Sequence, residues 1–302
     1  MSQQPSQRTA TLIPAWTGNP SDAEIAEVVG LLAAATAADE VAPISEAATL
    51  RLSQSGSAQH VLVRDPVGEL IAYGAVAERA ERRSAEFVVH PGHRRRGIGG
   101  ALLAELFDRF PGPMWVWAHG EHPGALRLAE RAGLDRRREL LQMRRALAAP
   151  LPPRSLPEGL TLRPLRPGQD EPAVVALNNR AFTWHPEQGR WDAGDLAARQ
   201  AQPWFDPEGF LLAVDAQDRL HGFHWTKVHP GGLGEVYVIA VDPDAQGTGL
   251  GTALIVAGLE HLCRRRVLEA MLYVESDNVA ALRTFGNLGF HRHHSDLELL
   301  RV

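Results

Sequence analysis

The sequence predicts an α/β protein, an α+β sandwich built twice: two tandem domains, each a mixed central sheet flanked by helices. A strand–turn–helix stretch occurs twice in register. Val89, Pro91, Arg94, Gly97 and Gly99 stand 152 residues before Val241, Pro243, Gln246, Gly249 and Gly251. A second match follows in the same order, Gly124–Leu134 (GALRLAERAGL) with Ala280–Phe290 (AALRTFGNLGF) at an offset of 156. Two ordered matches at nearly one period mark a duplicated domain. Between the copies, Ala148–Glu158 holds four prolines in eleven residues, which makes a stiff, extended linker. The predicted division is therefore 1–147, a linker at 148–158, and 159–302, and the chain of 302 residues suits two domains of ordinary size.

The elements follow from local signals. Residues 9–16 read as a first strand, and Ser21-Asp22-Ala23-Glu24 is a capping box that opens an alanine-rich helix to about Ala38. Val41–Glu46 is a loop, with a short helix over 46–54. His60–Val63 and Glu69–Val76 are strands joined through Asp65-Pro66-Val67-Gly68, a hairpin signal. Glu86–Pro91 is a strand, the loop is Arg94–Gly99, and a helix runs from about Gly97 to Phe107. The second half restarts with Leu160–Leu165 as a strand and Asp170–Phe182 as a helix. His185–Gly189 is a loop and Asp192–Gln200 a short helix. Strands at Phe210–Val214 and His221–Val228 flank the turn at Asp215–Asp218. Glu235–Val241 is apolar and rich in Val, Ile and Tyr, so it reads as a buried strand. Met271–Val274, Asn278–Asn287 and His291–Val302 complete the pattern as strand, helix and terminal strand.

Composition excludes several classes. With 44% hydrophobic and 22% charged residues the chain is an ordinary globular protein. A net charge of −5 gives no bulk attraction to nucleic acid or an anionic membrane. No apolar stretch is long enough to span a bilayer, and MSQQPSQRTA lacks the apolar core of a signal peptide. The single cysteine, Cys263, forms no internal disulfide and reads as a core or near-core residue. These features fit the cytoplasm, and the duplicated domains fit a monomer. His291-Arg292-His293-His294 puts alternate histidines on one strand face, but no carboxylate or cysteine motif accompanies them, and no metal is expected.

The chemistry concentrates at Gly234–Leu254. A strand, a proline break and a glycine-rich turn into a helix make an anion site, because backbone N–H groups converge there and the helix dipole favours negative charge. The spacing Gln246-x-x-Gly249-x-Gly251 is not the P-loop, since no Lys-Ser/Thr pair follows, and is not the dinucleotide fingerprint. It resembles the pyrophosphate loop of the GNAT acetyltransferase superfamily. That resemblance implies acetyl-CoA as cosubstrate and a general base on the preceding strand.

Further segments carry a narrower resemblance: His185–Gly189, Trp204–Gly209, Gly222–Lys227, Gly234–Val238, Tyr273–Asn278 and, in the first half, Val41–Glu46. Together they are similar to the mycothiol synthase family of tandem GNAT enzymes. The family acetylates the cysteinyl amine of Cys-GlcN-Ins. The resemblance covers nearly the whole chain and is thinnest before Val41 and across the linker. It implies that Glu235 is the base and also binds substrate, and that Glu46, Glu187 and Lys227 contact the sugar–inositol portion. An α-amino group titrates at about 7.7–8.0, so a carboxylate acting directly or through water suffices. The resemblance places Ile239, Ala240 and Val241 against the acetyl-pantetheine arm, and Gln246, Gly247, Thr248, Gly249, Leu250, Gly251 and Thr252 around the pyrophosphate. Tyr273, Asn278, Val279, Ala280, Ala281, Leu282 and Arg283 would line the other side of the slot. One departure concerns the acid. Many GNAT enzymes carry a tyrosine where this sequence has Phe285, so Tyr273 is the candidate substitute.

In the first domain, Phe87, Val88 and Val89 with Arg94, Arg95, Arg96, Gly97, Ile98, Gly99 and Gly100 form an intact and more basic loop. Arg83, Trp117 and Ala129 align with Glu235, Tyr273 and Phe285, so the catalytic groups are missing there. The first domain is expected to bind acetyl-CoA without turnover. Two rivals stand beside the leading reading: a tandem GNAT enzyme for another small amine, and a non-catalytic acyl-CoA sensor. Lys227 argues against a polycationic amine, and Glu235 argues against the sensor.

Overall fold

Capping, apolar periodicity and turn glycines produce most elements where the sequence places them. The computed structural model describes residues 14–54, 56–79, 82–183 and 191–302. β1 is Pro14–Thr17, and α1 spans Asp22–Asp39. The capping box at its start is formed: the Ser21 hydroxyl accepts from Glu24 N at 3.3 Å, and the Glu24 carboxylate accepts from Ser21 N at 2.8 Å. α2 is Glu46–Arg51, capped by Ser45. β2 (Gln59–Arg64), β3 (Leu70–Arg79) and β4 (Arg82–Val89) form an antiparallel meander. α3 (Ile98–Arg109), β5 (Met114–Ala118), α4 (Pro123–Arg131) and β6 (Asp135–Ala146) complete the first half.

The second half repeats the plan. β7 is Thr161–Pro164, and α5 (Glu171–Ala181) and α6 (Ala193–Gln200) follow. β8 (Phe210–Val214), β9 (Leu220–Val228) and β10 (Gly234–Val241) form the second meander. α7 (Leu250–Arg264), β11 (Glu269–Glu275), α8 (Val279–Asn287) and β12 (His291–Arg301) end the chain. The helix that follows the glycine-rich turn begins at Leu250, after a 3₁₀ turn over Pro243–Ala245. The strand predicted from Glu86 begins at Arg82.

The predicted domain boundary needs correction. Contacts gather into one unit that runs to Leu140 and includes His294–Val302, and another that is Leu141–His293. The division does not fall at the proline-rich stretch. The reason is strand pairing: Leu297–Arg301 of β12 pair antiparallel with Ala118–Met114 of β5. Within the first unit the strands are ordered β1-β2-β3-β4-β5-β12, and within the second β6-β11-β10-β9-β8-β7, with Leu141–Ala146 supplying β6 there.

Each sheet buries both faces. In the first unit, α1 and α2 cover Leu62, Tyr73 and Val88, while α3 covers Val61, Val63 and Ala85. In the second, α5 and α6 cover Phe210, Phe223 and Trp225, and α7 and α8 cover Val236, Leu272 and Val274. Alternate residues of one strand thus serve opposite cores, as a two-face sheet requires. Cys263 is half-buried and packs against the α7 core, as expected. Among the described residues no helix is long and apolar enough to cross a membrane.

Candidate active site

Glu235 occupies the point where the second sheet opens. β10 pairs in parallel with β11 at Gly234↔Ala270 and Glu235↔Met271, and among the described residues the two strands pair no further. From Val236 to Val241 the backbone edge of β10 on that side is therefore available to an extended ligand arm. On the other side, β9 and β10 keep a register broken once: Val236 faces Thr226 and Val238 faces Trp225, which leaves Tyr237 as a bulge. A bulge bends its strand and increases the local twist.

The first unit has the same opening without the bulge. Its parallel pairs are Ser84↔Trp115 and Ala85↔Val116, and β3–β4 runs unbroken from Ala72↔Val89 to Arg79↔Arg82. This corrects the alignment upstream of the bulge. Counting residues sets Arg83 against Glu235, but the ladder sets Ser84 there, with Trp115 as the counterpart of Met271. Neither residue is a carboxylate, so the first unit has no counterpart of Glu235 either way.

Around Glu235 the side chains are specific. Its carboxylate is buried, and Oε2 lies 2.7 Å from His229 Nε2. Lys227 stands directly opposite on β9 and is also buried. Its ammonium lies 4.6 Å from the Trp204 ring centre and 5.1 Å from that of Tyr237, within cation–π range. The Tyr237 hydroxyl accepts from Arg199 Nε at 2.9 Å, and its ring meets Trp225 edge-on at 5.2 Å. His229 thus contacts the carboxylate, and the aromatic faces of Trp204 and Tyr237 hold Lys227 on the facing strand.

The anion loop lies beyond the end of β10. Gly247 and Gly249 sit at φ 77° and 88°, the left-handed region that side chains disfavour. Gln246 to Gly249 are exposed, and no side chain caps α7 at Gly249. The first N–H groups of a helix have no partner within it. The turn thus presents open donors at the positive end of a fifteen-residue helix, which fits a pyrophosphate. On the far side, the Tyr273 hydroxyl accepts from Gln142 Nε2 at 3.0 Å, and Asn278 caps α8 by accepting from Ala281 N at 3.1 Å. Phe285 is buried edge-on to Phe290 in the α7–α8 core, so it has a packing role.

In the first unit, a cleft of about 680 Å³ is lined by Phe87–Val89, Arg94, Arg95 and Gly97–Gly100, and also by His119 and His122. Gly97 has φ 84°. Arg94 is committed within the protein: Nη1 and Nη2 donate to the two Asp39 oxygens at 2.7 Å each, and Nε donates to Val89 O at 3.1 Å. Glu46 begins α2, beside the Ser45 cap. Glu187 and the rest of the His185–Gly189 loop lie outside the described residues.

Three features were not legible in the sequence. His229 follows a strand and precedes Pro-Gly-Gly, which signals a turn but not a partner. The bulge at Tyr237 has no signal of its own. The third is a buried ion cluster of the first unit. His119 Nδ1 lies 2.8 Å from Asp296 Oδ2, and Nε2 lies 3.0 Å from Glu86 Oε2. Glu86 also accepts from the Ser45 N–H at 2.5 Å and hydroxyl at 2.7 Å. Burial alone would lower the His119 pKa, but bonds and charge from Asp296 and Glu86 outweigh it and raise it to about 10.

Comparison with known proteins finds acetyltransferase relatives of both halves. Residues 173–290 match the acetyltransferase (GNAT) family and residues 56–133 an acetyltransferase (GNAT) domain. Mycothiol acetyltransferase of Saccharopolyspora erythraea is 48% identical, with 90% of this chain and 100% of that protein covered. The mycothiol acetyltransferase of Geodermatophilus obscurus is 51% identical, with 93% and 95% covered.

The chain belongs to the mycothiol acetyltransferase family. It is an acetyl-CoA-dependent N-acetyltransferase with two GNAT domains in tandem, as the duplication predicts. Among solved structures, a GCN5-related N-acetyltransferase from Sphaerobacter thermophilus superposes with a TM-score of 0.67 at 27% identity, covering 96% of this chain and 95% of that one. A tandem GNAT protein from the clavulanic acid pathway has the same fold, with a TM-score of 0.71 at 20% identity over 96% and 98% of the two chains. The α/β architecture of the mycothiol acetyltransferase family is thus the one described here.

Proposed function

We propose that this chain transfers the acetyl group of acetyl-CoA to the cysteinyl amine of Cys-GlcN-Ins, giving mycothiol and CoA, with Glu235 as general base. The observation that carries the residue assignment is the position of Glu235. It is a buried carboxylate at the last paired step before β10 leaves β11. The relatives' shared name supports the substrate.

In this proposal Glu235 accepts the proton of the amine as the nitrogen attacks the thioester carbon. The backbone of Ile239, Ala240 and Val241 aligns the pantetheine arm by strand addition. Gln246 to Thr252 hold the pyrophosphate through the open amides at the start of α7. Tyr273 and Asn278 to Arg283 line the opposite wall, and Tyr273 is the proposed acid for the leaving sulfur. Its contribution is small, because a thiol of pKa about 8.5 already leaves readily. Lys227 hydrogen-bonds the hydroxyl-rich sugar–inositol portion. The first unit binds acetyl-CoA in its own cleft without turnover, because Ser84 and Arg83 offer no base.

The test is mass-spectrometric detection of N-acetylated product from acetyl-CoA and Cys-GlcN-Ins, because the substrate's own thiol obscures thiol-release assays. Glu235→Gln is expected to lower turnover by about 10²–10⁴-fold, the usual worth of a positioned base. Full activity in that variant would remove Glu235 from the role. No product from the wild-type chain, with acetyl-CoA still bound, would point to another amine.

A further inference from the structure

We propose that His229 is the proton outlet of Glu235. It is a positioning and relay residue that carries the reaction's surplus proton from the buried carboxylate to solvent. This rests on the assignment of Glu235 as base and extends it to a residue outside the anion loop and the substrate contacts.

The reaction's proton balance requires an outlet. At neutral pH an α-amino group is largely an ammonium ion. Acetylation forms one N–C bond and breaks one C–S bond, and the amide nitrogen keeps one hydrogen of its original three. Of the two protons lost, one ends on the CoA thiol and the other must leave the protein every turnover. A carboxylate within a site can accept it, but a buried carboxylate has little direct contact with water to hand the proton on. Glu235 is such a group, with its side chain 8% exposed.

His229 meets the requirement on three counts. Its Nε2 lies 2.7 Å from Glu235 Oε2, close enough for direct transfer. Its side chain is 28% exposed, so the ring spans from the buried carboxylate to water. Imidazole also has two ring nitrogens, so one can accept a proton while the other releases one. The step is balanced. The proton taken up by Glu235 passes from Oε2 to Nε2, the ring becomes imidazolium, and Nδ1 releases a proton to solvent. A return of the ring tautomer, or a second proton exchange with water, restores the starting pair.

The turn fixes the backbone that carries the ring. His229 N donates to Leu233 O at 2.8 Å, and Gly232 N donates to His229 O at 3.0 Å. Gly231 and Gly232 both adopt left-handed φ, 93° and 87°, which lets the chain reverse within a few residues of Glu235. The first unit provides an internal comparison. Ala77–Arg83, which precedes the corresponding opening, reads AERAERR and contains no histidine, and Glu235 has no acidic counterpart there either. The pair occurs together in one copy and is absent together from the other.

The experiment compares His229→Ala, His229→Gln and Glu235→Gln in the full chain, with steady-state kinetics by product mass spectrometry. His229→Ala is expected to lower kcat about 10–100-fold and leave KM for acetyl-CoA unchanged. Added imidazole is expected to restore part of that kcat, because the ring lies at the surface. His229→Gln keeps a hydrogen-bonding side chain but carries no proton, so it is expected to remain as slow as the alanine variant. An unchanged kcat in His229→Ala, or a loss that imidazole does not relieve and glutamine repairs, would overturn the relay. Glu235→Gln separates the two proposals: if it retains activity, the base assignment fails, whereas loss there with full activity in His229→Ala rejects only the outlet.

Discussion

At the scale of single residues, one contact decides how β9 meets α7. His224 is fully buried, and its Nδ1 lies 2.8 Å from Leu254 O. A Cβ added at Gly258 would meet the His224 ring at 2.0 Å. Alanine ordinarily gains about 0.8–1.0 kcal/mol over glycine inside a helix. Overpacking a filled core typically costs about 1–3 kcal/mol. A separation far below contact distance, against a ring pinned by Leu254, makes the second effect larger. Gly258→Ala is therefore expected to destabilise the second unit, read as a lower urea midpoint. In a His224→Ala background the same substitution should stabilise. Sequence alone conveys half of this: Gly258 falls in a helical pattern where its presence needs a reason, but the reason lies 34 positions earlier in the chain, at His224. The same limit explains why the sequence offers Glu235 as a candidate and does not offer His229. Glu235 stands in a strand-and-loop pattern with a known chemistry, while His229 acquires meaning only through a 2.7 Å approach.

At the scale of elements, β5 and β12 are joined by charge as well as by the ladder. Asp296 accepts from the Gly120 N–H at 2.9 Å and faces His119, which also faces Glu86. Burial raises the Glu86 carboxyl's pKa, but the His119 bond and charge and the Ser45 bonds outweigh it and hold the group below its usual value. The folded pKa of His119 is about 10 against an ordinary 6.5, so the folded state binds its proton more tightly than the unfolded chain. The resulting stabilisation is complete below about 6.5 and is lost as pH rises towards 10. The first unit should therefore melt at progressively lower temperature from pH 7 to 10. His119→Asn should lower stability at pH 7 by about 3–5 kcal/mol, because two buried carboxylates lose their cation, and should flatten the alkaline slope. The elements themselves were largely legible: capping at Ser21, Asp192 and Asn278 and the φ demand at Gly97 and Gly249 are local facts. The bulge at Tyr237 was not, because a bulge is defined by what lies opposite it. That single extra residue shifted the alignment of Glu235 from Ser84 to Arg83.

At the scale of the whole molecule, the duplication was legible because offsets of 152 and 156 survive in the glycines and the α4 and α8 helices. The division into units was not, because proline content marks where a chain is stiff and not where its strands pair. β12 closes the first unit with more than a ladder. Leu297 and Leu299 pack on Ala118 and Ala129, and the fully buried Glu298 bonds Arg82 and Arg138. Deleting residues 295–302 is expected to expose β5 and α4 to proteolysis and hydrogen exchange, while β10 and α7 keep their protection. Intact protection of β5 in the shortened chain would contradict this account of the first unit. The same strand also sets an order of events during synthesis. Domains ordinarily fold as units, N-terminal first, as the ribosome delivers them. Here the first unit's last strand follows the whole of the second unit in the chain. Until the ribosome delivers β12, the edge of β5 and the His119 ring await Leu297 and Asp296, so the half begun first is completed only after the second has been made.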